Sequence, residues 1–113
     1  MSETLPSEIA CATVFEQHPS DDLLLIDCRE QNEWDFVKIE GAVLIPMSEI
    51  QDRLDEVKTL ANGKSSVVVH CHHGGRSLRV SNFLRGQGIE KSQSMAGGID
   101  EWADKHDSSL PRY

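Results

Sequence analysis

Short, uninterrupted apolar runs constrain the fold of this chain more than any other feature. Residues 23–26 (Leu-Leu-Leu-Ile) and 67–69 (Val-Val-Val) are bounded by polar or glycine-containing segments, and residues 42–45 (Ala-Val-Leu-Ile) are closed by Pro46. Such runs are typical of strands that are buried on both faces of a parallel sheet. They are also far too short to span a bilayer. The sequence therefore predicts three buried strands and no membrane partner.

Helical patterns separate these runs. Residues 48–57 place Ile50, Leu54 and Val57 on one face, and Ser48 is a suitable N-cap. Three further helices are predicted over residues 10–18, from Ser77 to Gly86 or Gly88, and after Gly97. Strands that alternate with helices predict an α/β fold in which helices cover a mostly parallel sheet. We expect the 113 residues, 1–113, to form a single domain.

The charge of the chain is strongly negative overall. Eleven basic and nineteen acidic residues give a net charge of −8, which argues against nucleic acid or an anionic membrane as a partner. No acidic residue occurs between Glu56 and Glu90, however. The basic residues of this segment are Lys58, Lys64, Arg76, Arg79 and Arg85. A solvated helix face is one interpretation of Arg79 and Arg85, but Cys71 lies in the same segment and favours an anionic ligand.

The three cysteines, Cys11, Cys28 and Cys71, have no paired spacing. This pattern argues against a disulfide framework and against zinc held by two cysteine pairs. The first residues also lack the basic start and apolar core of a signal peptide. We therefore expect the reducing environment of the cytoplasm. Cys11 and Cys28 are interpreted as small, buried apolar residues.

Cys71 has a different setting, because it follows a predicted strand and precedes a predicted helix. The segment comprises Cys71, His72, His73, Gly74, Gly75, Arg76 and Ser77. In an open parallel sheet, ligands bind where strands end and the chain turns toward the next helix. The two glycines allow successive N–H groups to converge on one point, and the helix start adds the positive end of its dipole. This setting, with Arg76 nearby, favours a reactive Cys71 thiolate.

Neighbouring histidines invite a metal-site interpretation. His70, His72 and His73 are nearly consecutive with Cys71 and cannot readily direct all their side chains at one ion, and no second Cys/His pair follows at ligand spacing. We expect neither a metal nor a cofactor. His72 and His73 are instead expected to line the mouth of an anion pocket, or to be solvated loop residues whose backbone amides bind the ligand.

The loop resembles the active-site loop of the rhodanese family, which has a Cys, four intervening residues and an Arg. Residues 25–30 (Leu-Ile-Asp-Cys-Arg-Glu) resemble the first signature of that family, and residues 95–102 (Met-Ala-Gly-Gly-Ile-Asp-Glu-Trp) resemble its closing signature. The motifs occur in the family's order over roughly residues 22–105. The resemblance implies a rhodanese-like α/β fold, with a mostly parallel five-stranded sheet and helices on both faces.

The resemblance also implies an activity. Rhodanese-type sulfurtransferases move sulfane sulfur from a small anionic donor, thiosulfate or a persulfide, to a thiol or cyanide through a cysteine persulfide. Cys71 would carry the sulfur, the loop from His72 to Ser77 would bind the donor, and Asp27 and Arg29 would brace the loop. Residues 109–113 resemble the tail of rhodanese domains attached to adenylyltransferases, which suggests a sulfur-relay protein partner.

One departure from the family pattern concerns the turn at residues 36–40. Val37 and Lys38 stand where the family usually has Gly-His. Any hydrogen bond of that histidine is absent, so we expect this turn to differ. It is not expected to supply the amides that bind sulfur.

Two other functions remain possible from the sequence. A cysteine phosphatase or arsenate reductase also uses a Cys loop that ends in Arg, but five residues intervene in such loops, and the shorter loop here suits one sulfur atom better than a tetrahedral oxyanion. A non-catalytic binding module of the same fold is the second alternative. Such modules usually lack the Cys, whereas Cys71 is present.

Overall fold

The computed structural model describes residues 5–113 of the chain. Its strands are β1 (Glu8–Ile9), β2 (Leu23–Asp27), β3 (Val43–Leu44), β4 (Ser66–His70) and β5 (Ser92–Met95). Its α-helices are α1 (Cys11–Gln17), α2 (Gln31–Phe36), α3 (Leu54–Ala61), α4 (Gly75–Gly86) and α5 (Gly98–Glu101), which continues as a π-helical turn, Trp102–His106. No helix among these residues is long and apolar enough to cross a membrane.

The five strands form one parallel sheet in the order β1-β5-β4-β2-β3. The predicted α/β fold with a five-stranded sheet is therefore confirmed. All residues of β2 are buried, as are all of β4 except Ser66, which explains their continuous apolar runs. Because β2 and β4 are neighbours, their carboxyl ends bring the segments after Asp27 and His70 together.

Two apolar cores cover the two faces of the sheet. The first core packs Ile26 and Val69 against α3 and α4, and it also contains Cys28 and Cys71. The second core packs Leu25 and Val68 against α1 and α5, and it contains Cys11. Strand residues alternate between the cores because successive side chains of a strand point to opposite faces. The predicted flanking of the sheet by helices on both faces is confirmed.

The predicted helix over residues 48–57 is wrong in its bounds. Residues 47–49 form a 3₁₀ turn, and α3 begins only at Leu54. The Ser48 hydroxyl does not cap a helix, because it donates a hydrogen bond to the Glu30 carboxylate at 2.9 Å. Ile50 and Val57 are nevertheless buried in the first core, as their apolar character predicts.

Candidate active site

The Cys71 loop connects the end of β4 to the start of α4. Cys71 is only 1% exposed, and its Sγ accepts hydrogen bonds from the Gly74 N–H at 3.1 Å and the Ser77 N–H at 3.4 Å. The Ser77 Oγ lies 3.5 Å from the same sulfur. Backbone N–H groups at the start of a twelve-residue helix favour an anion. The arrangement therefore suits a thiolate better than a thiol.

Two glycines allow the loop to close around the sulfur. Gly74 has φ of +124°, a backbone conformation that other residues rarely adopt. Gly98, at the start of α5, approaches the loop so closely that a Cβ would lie 2.3 Å from the His72 carbonyl oxygen. The next two residues donate backbone hydrogen bonds to the loop carbonyls, Ile99 to Cys71 at 2.9 Å and Asp100 to His72 at 3.1 Å. With its carbonyl groups held by α5, the loop is free to direct N–H groups at Cys71.

A buried pair of serines supports the sulfur from the side of the sheet. The Ser77 Oγ lies 2.7 Å from the Ser94 Oγ, and either hydroxyl can be the donor. When Ser94 donates, the one proton of the Ser77 hydroxyl can go either to the Gly74 carbonyl at 3.1 Å or to the Cys71 sulfur at 3.5 Å. Ser94 belongs to β5, whose polar sequence Ser-Gln-Ser-Met gave no apolar signal, and sequence reasoning did not identify it.

Cys28 is a second residue of this region that sequence reasoning did not place near Cys71. It is fully buried, as predicted, but its thiol lies next to Cys71 rather than among apolar side chains alone. The nearby Cys28 thiol, acting as a donor, is the largest cause that lowers the pKa of Cys71 well below that of an ordinary thiol. Burial opposes this shift, while the Ser77 hydroxyl and the Ser77 and Gly74 amides reinforce it. The proximity of Cys71, together with burial, raises the pKa of Cys28.

The Arg76 side chain reaches α2. Its guanidinium donates two hydrogen bonds to the Glu33 carboxylate, at 2.6 and 2.9 Å. The pKa of Glu33 falls to about 2, chiefly because of Arg76, with burial opposing and Tyr113 contributing a further hydrogen bond. The pKa of Arg76 rises for the same reason, and the charge of Cys71 makes only a smaller contribution. Arg76 thus neutralises Glu33 first and acts on Cys71 only from a distance.

Asp27 and Arg29 form a fully buried ion pair behind the loop. Nη2 of Arg29 donates to Asp27 Oδ2 at 2.6 Å, and its Nε lies 3.0 and 3.1 Å from the two carboxylate oxygens. Nη2 also donates to the Val37 carbonyl at 2.6 Å, and Nη1 donates to the Tyr113 hydroxyl at 3.0 Å. His70 packs beside Asp27, with Nε2 3.7 Å from Oδ2. Arg29 therefore ties the end of β2 to the turn at residues 36–40, whose Val37 side chain is itself buried.

The remaining loop residues lie at its outer surface. His73 and Gly75 are exposed, and His72 is half-buried. The His72 ring stacks on the Tyr113 ring, with 3.9 Å between centroids and 6° between planes. Lys38, at the divergent turn, places its ammonium 4.9 Å from the centre of the Trp34 ring. Among the described residues, none of these side chains contacts the Cys71 sulfur.

Comparison with known proteins places this geometry in a family. The profile of the Rhodanese-like domain matches residues 12–105. The thiosulfate sulfurtransferase GlpE of Coxiella burnetii is 28% identical over 102 residues, which are 90% of this chain and 92% of that protein. The chloroplastic Rhodanese-like/PpiC domain-containing protein 12 of Arabidopsis thaliana is 32% identical over 93 residues. That match covers 82% of this chain but only 31% of the plant protein.

Some further relatives bear the name adenylyltransferase and sulfurtransferase, and the chain spans only 22% and 23% of two of them. Among solved structures, the rhodanese-related protein of Thermoplasma volcanium has a TM-score of 0.76 and 29% identity. The alignment covers 89% of this chain and 94% of that one. Since the family profile matches most of the chain and the sheet has the same architecture, the chain belongs to the rhodanese-like domain family.

Proposed function

We propose that the protein is a sulfurtransferase that carries sulfane sulfur as a persulfide on Cys71. The observation that carries this proposal is the set of hydrogen bonds to Cys71 Sγ, from the Gly74 amide at 3.1 Å and the Ser77 amide at 3.4 Å. Donors that stabilise a thiolate prepare a nucleophile without a general base. The family's named thiosulfate sulfurtransferase, which this chain matches over nearly its full length, supports the same chemistry.

Loading of the enzyme is a displacement at sulfur. The Cys71 thiolate attacks the outer sulfur of thiosulfate and forms a new S–S bond, while the old S–S bond breaks and its electron pair leaves with sulfite. A persulfide donor loads Cys71 in the same way and releases a thiolate. The positive end of α4 and the amides of the loop, including those of His72, His73, Gly75 and Arg76, favour the negative charge of the outer sulfur.

Transfer of the sulfur from the Cys71 persulfide to an acceptor is a second displacement at sulfur. An acceptor thiolate or cyanide attacks the outer sulfur, takes it, and restores the Cys71 thiolate. The resemblance of residues 109–113 to relay domains and the names of the adenylyltransferase and sulfurtransferase relatives support a protein acceptor in a sulfur relay. The three free cysteines support a reducing compartment such as the cytoplasm.

The engagement of Arg76 favours sulfur transfer over phosphate chemistry. A phosphatase loop uses its Arg to bind the equatorial oxygens of a dianion, whereas the guanidinium of Arg76 is already paired with Glu33. A single sulfur atom has no equatorial oxygens, so its binding does not require a free Arg76 guanidinium. The buried, hydrogen-bonded Cys71 also argues against a purely non-catalytic binding module.

Intact-mass measurement after thiosulfate treatment tests the proposal. We expect the wild type to gain the mass of one sulfur atom and to release one equivalent of sulfite, because Cys71 is the nucleophile. Cys71→Ser should gain nothing, and Cys11→Ser, which removes an equally buried thiol from the other core, should load like the wild type. Loading that persists in Cys71→Ser, or no loading with any sulfane sulfur donor, contradicts the proposal.

A further inference from the structure

Cys28 and Cys71 occupy matching positions at the ends of two neighbouring strands. Asp27 of β2 is registered with His70 of β4, and the Cys28 N–H donates to the His70 carbonyl at 3.0 Å. The register therefore continues by one residue and places Cys28 beside Cys71. Neighbouring strands lie about 4.8 Å apart, and disulfides join Cα atoms about 4.4–6.8 Å apart. The backbone thus holds the two cysteines at disulfide distance.

The two side chains also share one face of the sheet. Cys28 follows Ile26 by two residues, and Cys71 follows Val69 by two, so all four side chains point into the first core. Cys28 is 0% exposed and Cys71 is 1% exposed. Both residues belong to one cluster of buried side chains, and the proximity of the Cys28 thiol is also the largest cause that lowers the pKa of Cys71. No rearrangement of the sheet is needed for them to meet.

The direction of approach matters for the chemistry. Cys28 lies with Cys71 in the first core, whereas His73 and Gly75 of the loop are exposed to solvent, so we expect a sulfur donor to arrive from the side of the loop. The outer sulfur of a Cys71 persulfide therefore extends away from Cys28. Cys28, the inner sulfur and the outer sulfur then lie in the order that displacement at the inner sulfur requires.

We propose that Cys28 is a resolving thiol that converts the Cys71 persulfide into a Cys28–Cys71 disulfide when no acceptor arrives. This inference rests on the proposed sulfurtransferase function. The Cys28 sulfur attacks the inner sulfur of Cys71, the bond between inner and outer sulfur breaks, and its electron pair leaves with the outer sulfur. The proton of the Cys28 thiol accompanies it, so hydrosulfide is released. The sulfane sulfur is reduced and the two thiol sulfurs are oxidised, so no external oxidant is required.

The Cys28–Cys71 disulfide is a resting state that can be reduced again. It protects both sulfur atoms from further oxidation, and an external thiol returns the enzyme to the reduced form by exchange. Cys11 cannot take this role, because it lies in the second core on the opposite face of the sheet. It therefore provides a matched control, a buried free thiol in the same protein that cannot reach Cys71.

The test follows the loaded protein after the donor is removed. Wild type, Cys28→Ser and Cys11→Ser are loaded to completion with thiosulfate, desalted under argon without added thiol, and followed by non-reducing intact mass and by hydrosulfide release. Serine at position 28 retains a hydrogen-bond donor toward Cys71, and because the comparison begins only after loading is complete, a slower rate of loading in this variant does not affect the result. We expect wild type and Cys11→Ser to lose the added sulfur, release one hydrosulfide and end two hydrogen atoms lighter than the unloaded protein. Cys28→Ser should stay loaded.

Each outcome separates this inference from the function on which it rests. Peptide mapping that finds Cys28 joined to Cys71 in the wild type supports the inference, and the Cys28→Ala variant repeats the test should Cys28→Ser fold poorly. A wild type that loads but keeps its sulfur as long as Cys28→Ser overturns the inference and leaves the sulfurtransferase function intact. Failure of all three proteins to load overturns both.

Discussion

The sulfur of Cys71 and the guanidinium of Arg76 belong to one short loop, yet different kinds of group stabilise their charges. Neutral hydrogen-bond donors surround the sulfur, whereas a carboxylate pairs with the guanidinium. An inner ring of neutral donors surrounds the sulfur, consisting of Cys28, Gly74 and Ser77. The guanidinium belongs to an outer rim of charged and aromatic groups: Glu33 accepts hydrogen bonds from Arg76 and from Tyr113, and Tyr113 accepts one from Arg29. Neutral donors stabilise a thiolate without binding a competing anion, whereas a cation paired with a carboxylate holds neighbouring elements together. The inner ring is therefore expected to control reactivity and the outer rim to control stability.

The buried support of the outer rim provides the largest expected effect. Asp27→Asn removes the carboxylate that pairs with Arg29, whose side chain is fully buried. A buried charge without its partner costs about 3–5 kcal/mol, so we expect the free energy of unfolding to fall by that amount in urea denaturation. Asp52→Asn, at an exposed position, should change it by less than about 0.5 kcal/mol. A loss from Asp27→Asn no larger than that of the control would show that the rim does not depend on this ion pair.

A change in the inner ring should affect reactivity instead. Ser77→Ala removes the hydroxyl that lies 3.5 Å from the Cys71 sulfur. One hydrogen bond to a charged group contributes about 1.5 kcal/mol, so we expect the pKa of Cys71 to rise by about one unit. In the folded wild type the pKa of Cys71 is lowered. Alkylation of Cys71 by iodoacetamide should therefore remain fast at pH values below the pKa of a free thiol. The alkylation rate of Ser77→Ala should decline at a higher pH.

Ser81→Ala is the matched control for this measurement. Ser81 is also buried in α4, one turn beyond Ser77, but its hydroxyl donates to the Leu78 carbonyl and not to sulfur. Peptide mapping should confirm that the alkylated residue is Cys71. Equal pH profiles for Ser77→Ala and the wild type would show that the Ser77 hydroxyl does not stabilise the Cys71 thiolate.

The inner ring and the outer rim also differ in how far sequence reasoning reaches. The position of Cys71 was predictable because residues 67–69 form a continuous apolar strand and the helix signal begins at Ser77. The neighbours of its sulfur were not, because Cys28 meets Cys71 only through the pairing of β2 with β4, and strand order is a long-range property. Ser94 lies in a buried strand that looks polar. Its hydroxyl is satisfied by Ser77, a contact that no local pattern indicates.

The outer rim was less predictable still, because it depends on side-chain partners far apart in sequence. The sequence suggested that Arg76 acts on Cys71, since only five positions separate them. In the structure Glu33 takes the guanidinium, and Glu33 is positioned by a capping box with Glu30 at the start of α2. Spacing along the chain could identify the residues of the loop. It could not show that Glu33, rather than Cys71, pairs with the Arg76 guanidinium.

Arg76→Gln provides the smallest expected effect and the most direct comparison of ring and rim. The guanidinium is 31% exposed and bonded to Glu33, so solvent and the carboxylate both screen its charge from the sulfur. A partly exposed ion pair of this kind contributes at most about 1 kcal/mol to stability, and the effect of Arg76 on the Cys71 thiolate should be smaller still. We expect its alkylation profile to move by less than about half a pH unit. Arg79→Gln, an exposed arginine on the same helix, should leave the profile unchanged. A shift as large as that of Ser77→Ala would mean that the cation, and not the neutral ring, activates Cys71.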